Sequence, residues 1–187
     1  MEAIRLVRAT RHGLAEARSV PHVLGEAWQA GVLTAAVAQA AAQRFSAQAL
    51  VGAGCGPAEI ARALVDAGLH MAELVQRPPD EPEEEPFGRS SRLTELGEPG
   101  PVLRELRTLV NESAEALIVL ACGADEQSLY WRCIDSVDAA AECRDLLTEL
   151  LRATGEEADP ERARETEEDY RAAVVATASV TLDPPPG

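Results

Sequence analysis

Asp135 and Asp138 stand one helical turn apart and follow the aromatic pair Tyr130 and Trp131 in the run Leu129-Tyr130-Trp131-Arg132-Cys133-Ile134-Asp135. Carboxylates beside aromatic walls are residue types that contact a polar ligand, hold a cation or pass a proton. The pair continues into Glu142, Asp145 and Glu149 at helical spacing, and such a repeat is the water-facing side of an amphipathic helix. Cys133 and Cys143, on the same segment, are candidate redox thiols. Ten residues of helix hold them about 15 Å apart, too far to join each other, so either would pair only with another helix. Small buried side chains in a core are the plainer expectation for both. Arg144 falls beside the apolar stripe between Ala140 and Leu147, where a guanidinium needs a partner or an exit to water. Glu26 or Glu112 is the expected partner, and a boundary residue whose stem covers Leu147 is the alternative.

Other chemistry is harder to build from these residues. A carboxylate di-metal site in a bundle needs Glu-x-x-His pairs; His12, His22 and His70 form none. The glycine run over residues 51–56 lacks the Gly-Lys-Ser/Thr ending of a phosphate loop, and no strand precedes it. There is no nucleophile elbow or dinucleotide-binding glycine pattern. No metal and no cofactor is expected, and the chain leans away from being an enzyme.

The elements that carry these residues read as helices. Tyr130, Cys133, Val137, Ala140, Leu147 and Leu151 recur every three or four positions and predict a central helix over 125–153, capped by Asp125. Before it, helices are predicted over 2–18, with arginines on an outer face, and over 21–50, where Pro21 suits a first turn, Ser19 a cap and Trp28 a core anchor. Two more follow over 57–76 and 101–122, the last ended by Gly123. Four prolines and five carboxylates between Arg77 and Gly88 break the pattern, so an acidic, flexible loop is expected over 77–100, with a short turn docking back near Arg92. Residues 154–187 read as an acidic, partly disordered tail with a possible helix over 160–178. The predicted fold is all-α: an up-and-down bundle of four to five helices over 1–153, with an acidic loop insertion and a C-terminal helical tail.

Composition narrows the partners. The formal charge is -15, which argues against nucleic acid. Most of the excess lies in residues 78–100, with seven acids against two arginines, and in residues 154–187, with nine against three. All 17 basic residues are arginine, a bias that points to a high-GC genome. No apolar run reaches the ~20 residues of a membrane span, the arginines of the first helix are diluted by acids, and no signal peptide is visible. No stable membrane association is expected, and four sparse cysteines suit reduced thiols in a cytoplasm.

Glu26-Ala27-Trp28-Gln29-Ala30, Arg92-Leu93-Thr94 and the Tyr130-Trp131-x-Cys133 run with Asp138-Ala139-Ala140 together resemble an uncharacterised actinobacterial family known only as a domain of unknown function. The resemblance covers residues 1–153. It implies a cytoplasmic, high-GC bacterial origin and carries no activity or substrate. The leading functional expectation is a non-catalytic interaction or scaffold module, with a protein partner or a second copy as a homodimer. The alternative is a small-molecule-binding or thiol-sensing regulator whose pocket lies near Trp28 and Tyr130/Trp131. The residues expected to meet a ligand or partner are Glu26, Trp28, Tyr130, Trp131, Asp135, Asp138 and Arg144.

Overall fold

Among the described residues, helices form where the apolar spacing predicts them and stop where Pro and Gly punctuate it. In the computed structural model, which describes residues 1–49, 56–77 and 88–156, these are α1 (Ala3–Glu16), α2 (Val20–Ala49), α3 (Gly56–Val75), a single 3-10 turn η1 (Gly88–Arg92), α4 (Pro99–Cys122) and α5 (Gln127–Ala153). The fold is all-α, and no strand occurs among the described residues. The proline- and acid-rich run 78–87 and the tail beyond Glu156, with its expected helix over 160–178, lie outside the described residues.

The hub of the bundle is α2 rather than α5. It packs against α1, α3, α4 and η1, whereas α5 packs chiefly on α3 and α4. Every residue from Glu26 to Ala35 is buried, as befits a helix surrounded on all sides. The sequence supports this position because no charged residue occurs between Glu26 and Arg44. α2 and α3 run antiparallel and touch backbone to backbone. A Cβ added at Gly68 would lie 2.7 Å from the Ala35 amide nitrogen, and one at Gly31 would lie 2.8 Å from that of Ala72. α4 and α5 form a second antiparallel pair joined by a tight turn at Gly123, and α5 closes against α3.

α1 lies along α4 with the same sense, and Arg8 and Arg11 are spent on that contact. Arg8 reaches Glu105 at 3.0 Å, while Arg11 bridges Glu105 at 2.5 Å and Glu112 at 2.6 Å. Burial alone would raise the Glu105 carboxyl, but hydrogen bonds from Arg8 and Arg11 outweigh it and hold the group below its ordinary value. The same ion pairs, that to Glu112 foremost, raise Arg11 above the usual guanidinium range. No helix is long and apolar enough to cross a membrane among the described residues.

Three local expectations are corrected. Glu126, not Asp125, occupies the N-cap of α5, and no side chain caps it there. Tyr130, placed on the core stripe by its spacing, is exposed. Within the stretch 77–100 expected as a flexible loop, the short turn expected to dock back does so as η1, and residues 88–98 as a whole form part of the bundle. Leu96 is buried, the Ala3 amide donates to the Glu95 carbonyl at 2.9 Å, and Ser90 within η1 is buried.

Candidate functional site

One end of the bundle gathers the N-termini of α2 and α5, the C-terminus of α3 and the η1 turn. They enclose an open cleft of about 1310 Å³. Its floor is a small apolar cluster in which Leu24, Ala27, Trp28, Val75, Leu117 and Cys133 pack together, separate from the main core. α2 contributes Glu26 and Gln29 to the wall, α3 contributes Glu73, and α5 contributes Trp131, Arg132 and Asp135.

The Glu26 carboxylate is buried here, its side chain 5% exposed. A buried carboxylate needs charge-matched partners, and η1 delivers one across 63 residues: Arg89 forms a two-pronged pair with Glu26, its Nη2 at 2.7 Å from Oε1. The Arg89 backbone amide also donates to Gln29 Oε1 at 2.8 Å. Two glycines make room. A Cβ at Gly13 of α1 would sit 2.7 Å from the Glu26 carboxylate, and one at Gly88, whose φ is +50°, would collide with the Gln29 amide. α1, α2 and η1 therefore meet at one buried polar node, which fixes the back wall of the cleft.

The front wall is α5. Trp131 is 53% exposed and meets Tyr130 edge to face, with ring centroids 5.2 Å apart. Four residues on, Asp135 lines the same cleft, since positions i and i+4 share a helix face. Arg132 Nη1 reaches Gln76 at 3.3 Å, while its Nε is buried with no hydrogen-bond partner among the described residues. At the α3 end, the Arg77 guanidinium lies 5.9 Å above the Trp28 ring.

Of the residues singled out in the sequence, Glu26, Trp131 and Asp135 come together on the cleft. Trp28 is buried behind it, and Tyr130 braces Trp131 from outside. Asp138 is exposed and does not line the cleft. Arg144 is corrected most: it is exposed and pairs with its neighbour Asp145 at 3.0 Å, while Glu26 and Glu112 take Arg89 and Arg11 instead. Sequence reasoning missed Gln29, Arg89 and Arg132. The only local signal was that Glu26 and Gln29 interrupt an apolar stretch, which demands partners for both. No group of three or more His, Cys, Asp or Glu side chains is placed to hold a metal ion among the described residues.

Cys133 and Cys143 are fully buried, and Cys122 is exposed. Burial, reinforced by Glu142, pushes the Cys143 thiol up to about 12, and burial also raises Cys133. A thiol is a weak nucleophile until it ionises. With Cys55, outside the described residues, replaced by serine, we expect a thiol reagent at neutral pH to label Cys122 quickly and the other two only on unfolding. Because the folded Cys143 pKa exceeds its ordinary value of 9.0, the unfolded chain loses that proton first. The contribution of the neutral thiol is intact below about pH 9 and declines as pH rises toward 12. Urea midpoints measured from pH 8 to 11 should fall less steeply in Cys143→Ala than in the parent; an unchanged slope would refute the assignment.

The fold and cleft define an all-helical bundle whose distinctive surface is concentrated at one end. The chain belongs to the family of unknown function DUF6099, whose sequence profile matches residues 1–153. Neither a curated protein nor a solved structure matches it.

Proposed function

We propose that the protein is a non-catalytic interaction module that receives a segment of a partner protein at the cleft end, in the cytoplasm of a high-GC bacterium. The observation that supports this reading is where apolar surface is left uncovered. Of the seven exposed large apolar side chains among the described residues, all but Met1 and Leu69 lie at the end where α4 turns into α5: Trp131 at 53%, Tyr130, Val20, Ile118 at 45% and Val119 at 71%. Exposed apolar patches on a folded chain mark contact surfaces, and tryptophan and tyrosine are the residues that most often carry interface energy. The cleft is larger than the roughly 300–1,000 Å³ of small-molecule pockets and opens on solvent, which suits a peptide segment better than a metabolite. The all-arginine basic complement supports the genomic origin, and the buried, protonated thiols suit a reducing compartment.

A photoreactive side chain placed at position 131 in the producing cell tests the reading. A discrete adduct with another protein is expected there and not when the same group replaces Asp145, fourteen residues or about 21 Å further along α5. An adduct of twice the chain's mass would make the partner a second copy. Equal labelling at both positions, or none at either, would overturn the proposal. In that last case a shift of Trp131 emission with a metabolite would favour the small-molecule alternative.

A further inference from the structure

The charges around the cleft are unequally engaged. Arg89 is neutralised by Glu26, Arg77 lies over Trp28, and Arg132 donates to Gln76. The partnerless Arg132 Nε offers an anion nothing, because it has no exposed surface from which to bind one. Two lining carboxylates, Glu73 and Asp135, carry no ion pair or hydrogen bond among the described residues. Asp135 stands one turn from the exposed indole of Trp131, on the same face of α5. An indole attracts a cation over its ring, and a carboxylate at the rim can take the cation's N–H groups in charge-assisted hydrogen bonds. The same end of the molecule already holds one such contact, Arg77 on Trp28. The chain's charge of -15 draws a basic partner in and repels a second copy of itself.

We propose that the cleft reads a basic segment of a partner protein, one arginine or lysine side chain stacking on Trp131 with its charged head held by Asp135. The inference rests on the interaction-module reading and supplies the chemistry of its partner. Glu73, on the facing wall, takes a second cationic side chain of the same segment.

The full chain is titrated with three fluorescent nonapeptides of equal length: one alternating arginine with glycine, one with citrulline in place of arginine, and one with glutamate. The arginine peptide is expected to bind and to shift the emission of the exposed tryptophan, with affinity falling as salt rises. The citrulline and glutamate peptides are expected not to bind. Trp131→Ala should weaken binding about ten-fold, with Trp131→Phe retaining part of it. Asp135→Asn should weaken it about five-fold, with Asp135→Glu partly restoring it. All four replacements fall on exposed positions, so an unchanged melting temperature shows that the fold is intact. Asp145→Asn, the same charge change ten residues or about 15 Å further along α5, should leave binding within about two-fold, because exposed charges beyond a Debye length are largely screened. If Asp145→Asn weakens binding as much as Asp135→Asn, the attraction is diffuse and the site is refuted. If citrulline or glutamate peptides bind through Trp131 and the arginine peptide does not, the cationic inference fails while the interaction module stands. If no peptide binds and the adduct at position 131 is also missing, both fall.

Discussion

Replacing Arg89 with methionine should cost about 3 kcal/mol of folding stability, the low end of the penalty for stranding one member of a buried ion pair. The Glu26 side chain is only 5% exposed, so loss of the guanidinium leaves a largely buried charge without its partner. Arg89 itself is 34% exposed, which is why the low end applies. In a chain of this size the loss appears as a fall in melting temperature of about 10 °C and an earlier urea midpoint. The cause is testable by a second replacement. Glu26→Met combined with Arg89→Met removes both charges and keeps the volume, so the double variant should be more stable than Arg89→Met alone. Should the single variant lose less than about 1 kcal/mol, or the double variant lose more than the single, the node is not what seats η1 on α2.

The second large effect concerns the α2–α3 crossing. Gly68→Ala raises intrinsic helix propensity by about 1 kcal/mol, and on an exposed face it would stabilise. Here the new methyl would sit 2.7 Å from the Ala35 nitrogen and 3.0 Å from the Gly31 carbonyl oxygen, atoms of a backbone that cannot swing aside. The helices must separate along their contact, which costs typically 1–3 kcal/mol in a packed interior, and we expect a net loss in that range. Gly56→Ala is the control, since a Cβ there meets nothing within 4 Å. It should be neutral or mildly stabilising in the same urea titration. Equal effects at the two positions would mean that glycine's helix propensity, not close approach, governs both.

How much of this could be read from the residues varies by element. The helices were legible because Leu and Ala recur at helical spacing and because Pro57, Pro99, Pro101 and Gly123 fall at their ends. The hub was also legible in principle. A stretch free of charge from Ala27 to Gln43 cannot face water along its length, whereas the tryptophan and cysteines of α5 draw attention to a helix that lies at one side. The cleft was half visible. Glu26, Trp131 and Asp135 announce themselves by type, but the cation that satisfies Glu26 comes from a turn 63 residues away, and no local pattern records such a pairing. Arg144 shows the reverse failure. It follows Cys143 by one residue, about 100° around the helix, and that rotation carries it from the stripe to solvent.

Five of the seven exposed large apolar side chains among the described residues crowd one tip of the bundle. α2 alone extends about 45 Å at 1.5 Å per residue, so a complex made at that tip adds to the length of the rod and leaves its girth unchanged. Such an assembly sediments more slowly than a compact particle of equal mass. Its flanks stay free, so neighbouring copies could bind along a filament or a surface without crowding one another.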